Sequence, residues 1–303
     1  MSIDFANIPL WGADIPWLAG LREKGAQTFA EIGWPNAKTE AWKYSYFPQS
    51  EIDNLMLDNS PHRCSHDCHC HEKTQTPFAA YGIKFCDGKL ASEHFDLPQG
   101  VEAKSLVEAI YDGEIKKYLN KSFDMGKFPF AAMNTALLEQ GVVLVVERGT
   151  VVDRPIFIHY HQHNNNRQLS AIRNIIILEN RAQATIVEYF DGEDNAFYFN
   201  NIVNEVYLQN EAQLKHYAFI KEASDARHIA LNSVNVRSNA KYESFVAQRE
   251  CALSRYESHI LLQQEGASAI VNGAYRLSQN GVSDITTDIS HLAAHTTSNQ
   301  LVK

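Results

Sequence analysis

A chain of 303 residues, 45% of them hydrophobic, can bury a sizeable core, and its formal net charge of −9 at pH 7 excludes the dense basic surface that neutralising nucleic-acid phosphates requires. The longest apolar runs, VVLVV and IIIL, are far too short to cross a bilayer, and the opening MSIDFANIPLWGAD has no basic segment followed by an apolar one. Five cysteines, an odd number with three crowded into one stretch, do not make the dispersed pattern of a secreted disulfide framework, so reduced thiols in a cytoplasmic chain are expected.

The first predicted element is a helix. Asp14 is placed to cap IPWLAGLREKGAQTFAEIG, Pro16 suits its first turn, and Leu18, Leu21, Thr28, Phe29 and Ile32 recur near helical spacing before Gly33 and Pro35 end it. The aromatic and polar stretch KTEAWKYSYFPQSEIDN is too short for a core of its own and is expected to pack on that helix. HRCSHDCHCH, residues 62–71, follows as a connection. TQTPFAAYGIKFCDGKL then reads as a strand pair turning at Asp87-Gly88. SLVEAIYDGEIKKYLNKSF is a second helical region whose apolar face (Leu106, Ile110, Ile115, Tyr118, Leu119) is broken around Gly113. These readings divide the chain into a helical N-terminal domain with its Cys/His-rich linker (1–75), a strand pair and helical transition segment (76–139), and a β-rich core (140–303).

In the last part a unit recurs: a β run, a polar pair, a small residue, a second β run. Its copies are LENRAQATIVEYF, LQNEAQLKHYAF, VRSNAKYESFVA and LQQEGASAIVNGAY, with Ala182, Ala212, Ala240 and Ala267 spaced 30, 28 and 27 residues apart. A period in this range without intervening helices predicts a parallel β-solenoid whose coils stack at about 4.8 Å. The small residue is expected at the same tight corner of every coil. A β-sandwich is the rival, but Asn-Gly occurs only at 272–273 and 280–281, and a hairpin-built fold needs more such turns.

Candidate chemistry is sparse. Nucleophile-elbow, phosphate-loop, dinucleotide and zincin motifs are missing from the sequence. Asp284 and Asp288 share a strand face but stand about 13 Å apart, which favours solvated coil-face acids over an acid/base or calcium pair. IHYHQH places His159, His161 and His163 on one strand face with Ile158 and Tyr160 opposite. Two histidines at i and i+2 can share a metal, yet no cysteine or carboxylate is near in sequence, so a polar outer face is the expected role. Cys86 and Cys251 read as small buried hydrophobes. In the Cys/His stretch, Cys64, Cys68 and Cys70 with His62, His66, His69 and His71 exceed the four ligands of a tetrahedral zinc, although one short loop closes little chain between them. The expectation is a loop that binds zinc or iron without building the core; the alternative is an incidental polar linker.

Several segments, in their order along the chain, resemble the SufB/SufD family of SUF iron–sulfur cluster assembly proteins, and most of all SufD. TEAWKYSYFP is similar to the E-x-W-K-Y-T segment of the SufD branch through Glu40, Trp42, Lys43, Tyr44 and Ser45. AAMNTALLEQGVVLVVERGTVVDRPIFI carries the N-T-A segment and the later G-x-x-x-x-x-P through Asn134, Thr135, Ala136, Gly149 and Pro155. ATIVEYF matches T-x-[VI]-E-x-[FY], and HLAAHTTSNQLVK resembles the family's H-x(6)-S-x-Q-x-x-K through His291, Ser298, Gln300 and Lys303. The resemblance implies a mainly β fold: a right-handed parallel β-helix core preceded by a smaller helical N-terminal domain. It implies a non-catalytic scaffold acting with SufB and the ATPase SufC, with the iron–sulfur cluster handled by the complex rather than held by this chain. It also implies further coils and a SufC-binding helical domain beyond Lys303, so a C-terminally truncated chain is expected, with little or no SufC binding and self-association through an open solenoid end. A β-solenoid enzyme acting on carbohydrate and a stand-alone metal-binding module are the competing readings.

Overall fold

The computed structural model describes residues 5, 8–46, 48, 51, 53, 55–57, 76, 78–92, 94–163, 167–194, 196–249, 251–277 and 281–303. Its first helix, α1 (Pro16–Ile32), starts on Pro16, whose fixed φ fits the first turn and whose missing N–H would be unpaired there in any case. The capping position is Ile15, which offers no side-chain bond, so Asp14 does not cap the helix as expected. Gly33, at φ 74°, ends it as expected. The buried stripe is Leu18, Arg22, Gly25 and Phe29, whereas Ile32 is exposed. Arg22 tolerates burial because its Nε and Nη2 donate to the Leu138 carbonyl at 3.0 and 2.5 Å.

Ser105 caps the second helix, α2 (Leu106–Asp112), by accepting from the Glu108 N–H at 3.2 Å, and Gly113 ends it at φ 74° in the left-handed region. A third helix, α3 (Pro129–Ala136), was not legible in the sequence: all eight of its residues are buried, so no polar face marks its period. Gly25 lets α1 press on it, since a Cβ there would stand 2.7 Å from the Ala136 backbone nitrogen.

The strands are β1 (Met56–Leu57), β2 (Tyr81–Cys86), β3 (Lys89–Leu90), β4 (Val101–Ser105), β5 (Val142–Val146), β6 (Ile156–Gln162), β7 (Gln168–Leu178), β8 (Gln183–Gly192), β9 (Phe199–Leu208), β10 (Gln213–Lys221), β11 (Arg227–Val236), β12 (Lys241–Arg249), β13 (Leu253–Leu262), β14 (Ser268–Arg276), β15 (Val282–His291) and β16 (Thr297–Val302). From β5 onward odd strands pair in parallel in one sheet (β15-β13-β11-β9-β7-β5) and even strands in another (β16-β14-β12-β10-β8-β6). The chain alternates between the two sheets, and about five turns make a parallel β-helix from residue 143. The expected strand pair is present: β2 and β3 join antiparallel through Asp87 (φ 49°) and Gly88 (φ 77°), and β2 extends the even sheet by pairing with β6.

The predicted corner is equally plain. Ala182, Ala212, Ala240 and Ala267 are fully buried, and the Ala182, Ala212 and Ala240 carbonyls accept from Gln213, Lys241 and Ser268, the residues after the next alanine, at 2.8–3.0 Å. Before each alanine sits a left-handed residue: Arg181, Glu211, Asn239 and Gly266, with φ between 54 and 74°. The turn reverses there, and the stacked coils leave room for a methyl only.

Pleating sends alternate residues into the lumen, where Ile158, Ile176, Ile186, Val206, Leu214, Val234, Val246 and Ile260 lie in one cluster. The opposite face of the odd sheet is buried as well, because Leu169, Phe199, Ile229 and Leu253 stack against Phe29, Trp42, Phe130 and Met133 of the N-terminal segments. Trp42 thereby packs with the first helix, as KTEAWKYSYFPQSEIDN predicts. No helix among the described residues is long and apolar enough to cross a membrane.

Candidate functional site

The Cys/His-rich ligands Cys64, Cys68, Cys70, His62, His66, His69 and His71 lie outside the described residues. Among the described residues, chemistry-bearing groups converge instead at several places on the β-helix, of which three matter most.

The first is its outer face. On β6, Ile158 and Tyr160 point into the lumen, so His159 and His161 point out. The next coil sits in parallel register above, pairing His159 with Tyr189 and His161 with Asp191. Asp191 Oδ1 lies 2.8 Å from His159 Nε2 and 2.6 Å from His161 Nδ1; His161 Nε2 is 3.2 Å from His163 Nδ1, which stands 3.7 Å from Glu193 Oε1. These side chains are 13, 19 and 26% exposed for the three histidines and 26% for Asp191, so the face is not the open polar surface expected from the sequence. Burial would raise the Asp191 carboxyl, but hydrogen bonds and charge from His159 and His161 outweigh it and hold the group well below the usual carboxylate range. Burial and the neighbouring His161 lower the His163 imidazole. Sequence proximity missed the carboxylates because they come from the following coil. The repeat spacing of 30 residues was the available signal, since it maps position 161 onto 191 and 163 onto 193. Cys86 is the partner of His161 on the strand below and is buried, as is Cys251, in agreement with their expected roles.

The second place is the lumen. Glu188, the glutamate of ATIVEYF, is fully buried and accepts from Tyr160 at 3.0 Å and from Asn204 at 3.0 and 3.2 Å, with His216 Nε2 at 2.9 Å. Asn174, Asn204 and Asn232 occupy one register on successive coils and pass amide hydrogen bonds of 2.8 Å from each to the next. Burial alone would push the Glu188 carboxyl up; the His216 charge and these hydrogen bonds bring it below its ordinary value. Burial, then Glu188, pushes the Tyr160 hydroxyl up. Both Glu188 oxygens are occupied, so the network fixes coil register.

The third place is the joint between the N-terminal segments and the odd sheet. Arg173 and Glu205 are both fully buried, with Nη1 to Oε1 at 2.9 Å. Arg173 also donates to Asn134 and Thr135, each at 2.9 Å, and Glu205 accepts from the Asn120 and Lys121 backbone N–H groups at 2.8 and 3.2 Å and from Ser122 at 3.0 Å. Three coils further along the odd sheet, Arg255 lies 3.9 Å over the Trp42 ring and pairs with Glu257 and Asp284. Asp284 also accepts from Ser45 at 2.7 Å. It is therefore a half-buried partner of the joint, not the solvated acid expected, because the N-terminal segment covers that strand face. Asp288 keeps the expected exposure. Asn134, Thr135, Trp42 and Ser45, picked out by motif resemblance, all belong to this joint.

Comparison with known proteins matches nearly the whole chain. The SufBD protein N-terminal region fits residues 12–158, and the SUF system FeS cluster assembly SufBD core domain fits residues 160–303. The chain is 24% identical over 307 aligned residues to the iron-sulfur cluster assembly SufBD family protein slr0076 of Synechocystis sp., covering 96% of this chain and 67% of that protein. It is 26% identical over 267 residues to Protein ABCI7, chloroplastic, of Arabidopsis thaliana, covering 84% of this chain and 54% of that protein. The chain thus spans about half to two thirds of the length of these relatives.

Proposed function

The chain belongs to the SufBD family of the SUF iron–sulfur cluster assembly system, and from that premise we propose that it is a non-catalytic, SufD-like scaffold subunit working in the cytoplasm beside SufB and the ATPase SufC. The observation that carries this reading is the match of two consecutive family regions to the helical and the β-helical parts of one chain, in that order. The polar clusters support it. Glu188 makes its hydrogen bonds to neighbouring coils, and Arg173 and Glu205 make theirs to each other and to the N-terminal segments, which suits a rigid platform better than a reaction centre. The cluster itself is cargo of the complex. Residues 62–71 are read as a zinc- or iron-chelating loop that adds little to folding: replacing Cys64, Cys68 and Cys70 by serine should lower bound metal and leave the melting temperature nearly unchanged, and equal metal content would remove that role. The scaffold reading is tested by tagging the chain in its own cells and identifying co-purifying proteins by mass spectrometry. Enrichment of a SufB-type protein is expected, with a SufC-type ATPase carried in through it rather than held by this chain, and absence of both would overturn the reading.

A further inference from the structure

We propose that His159, His161 and Asp191 form a binding site for a divalent first-row transition-metal ion on the outer face of the β-helix, oriented from behind by His163. The proposal is independent of the family reading and rests on geometry. The three donor atoms, His159 Nε2, His161 Nδ1 and Asp191 Oδ1, lie within 4.8 Å of one another, and they are brought together by adjacent coils rather than by a flexible segment. Two imidazoles and one carboxylate are the donor set that zinc and ferrous iron accept, and three protein ligands leave a position open. Metal–ligand bonds of about 2.0–2.2 Å place tetrahedral neighbours about 3.3 Å apart. Asp191 now stands 2.8 and 2.6 Å from the two nitrogens, so the carboxylate has to withdraw by about half an ångström, within reach of a side-chain rotation.

The surroundings of His161 fit the same assignment, whereas His159 Nδ1 is buried without a hydrogen-bond partner. A metal-bound histidine ordinarily donates its other ring N–H to an acceptor that fixes ring and tautomer. His161 Nε2 has such a partner in His163 Nδ1 at 3.2 Å, and His163 is anchored by its backbone N–H donating to Asp87 at 2.7 Å. Binding an ion through Nδ1 leaves His161 Nε2–H to donate to His163, and any proton on a coordinating nitrogen is displaced to solvent. Mixed imidazole and carboxylate donors select against magnesium and calcium, which prefer all-oxygen shells.

The test uses the full chain with the second candidate chelator disabled: Cys64→Ser, Cys68→Ser, Cys70→Ser, His62→Asn, His66→Asn, His69→Asn and His71→Asn. Calorimetric titration of this protein with zinc should show one equivalent bound and none with magnesium. Adding His161→Asn or Asp191→Asn should weaken zinc by more than about 100-fold, and His163→Asn by about 10-fold, the scale of an outer partner's loss. A loop-substituted chain that binds no zinc, or ligand variants that bind it as tightly as their parent, would overturn the site. Cobalt(II) added to the loop-substituted chain gives a readout needing no ligand variant: paramagnetic broadening should centre on the His159 and His161 ring protons, and broadening centred elsewhere contradicts the assignment.

Discussion

Removing Glu205 should uncouple the N-terminal segments from the β-helix more severely than any surface change. In Glu205→Leu, Arg173 keeps Asn120, Asn134 and Thr135 as neutral acceptors but loses its only counter-charge among the described residues within ion-pair distance, in a site with no solvent exposure. The Asn120 and Lys121 N–H groups and the Ser122 hydroxyl lose their carboxylate acceptor in the same step. Breaking a buried pair from one side costs about 3–5 kcal/mol, because the stranded charge is left without solvent or partner. With a urea slope of about 3 kcal/mol/M for a chain of this size, the unfolding midpoint should fall by about 1.3 M. Arg173→Met combined with Glu205→Leu removes both charges, and its loss should be less than half that of Glu205→Leu alone. Urea titrations of the wild type, Glu205→Leu, Arg173→Met and the double variant, with amide hydrogen exchange at Asn120 and Lys121, measure both effects. A single-variant loss below about 1 kcal/mol, or a double variant as damaged as the sum of its singles, would refute the reasoning.

Ala212→Leu puts a branched side chain into a filled coil corner and should destabilise by about 1–3 kcal/mol in the same assay, whereas an unchanged midpoint would mean the corner is not tightly packed. Glu188 has a folded-state carboxyl lowered relative to its ordinary value near 4.3, so its contribution is complete above that pH and is lost as pH falls through the lower folded value. The stability gap between wild type and Glu188→Gln should therefore be constant from pH 7 to 5 and shrink below about 4, and a gap that widens on acidification would contradict the sign. Burial pushes the Cys251 thiol far up and out of reach, so its alkylation at pH 8, followed by mass spectrometry, should proceed only with global unfolding; rapid modification of the native protein would place the residue elsewhere.

What was legible in the sequence follows from which interactions are local. The alanine spacing exposed the coil repeat because a corner that admits only a methyl constrains the same position in every turn. Asp87-Gly88 exposed the hairpin because a two-residue turn demands left-handed backbone at both positions. The helix α3 left no trace, since burial on every side erases the amphipathic period, and Asp14 misled because Pro16 alone sets the start of α1. The polar groupings were hidden for a different reason. His161 meets Asp191, and Arg173 meets Glu205, across coils 30 and 32 residues apart, so their pairing is set by register, which becomes readable only once the repeat is trusted to the residue. Asp284 changed character through a contact with Ser45, 239 residues away, which no local pattern encodes.

The scaffold claim is tested most directly by sedimentation of the purified chain with a purified SufB-type protein from the same cells. The account predicts a stable heteromeric species at about 10 μM, the affinity range expected of a standard-size interface. Two independently sedimenting species persisting to about 100 μM would contradict it.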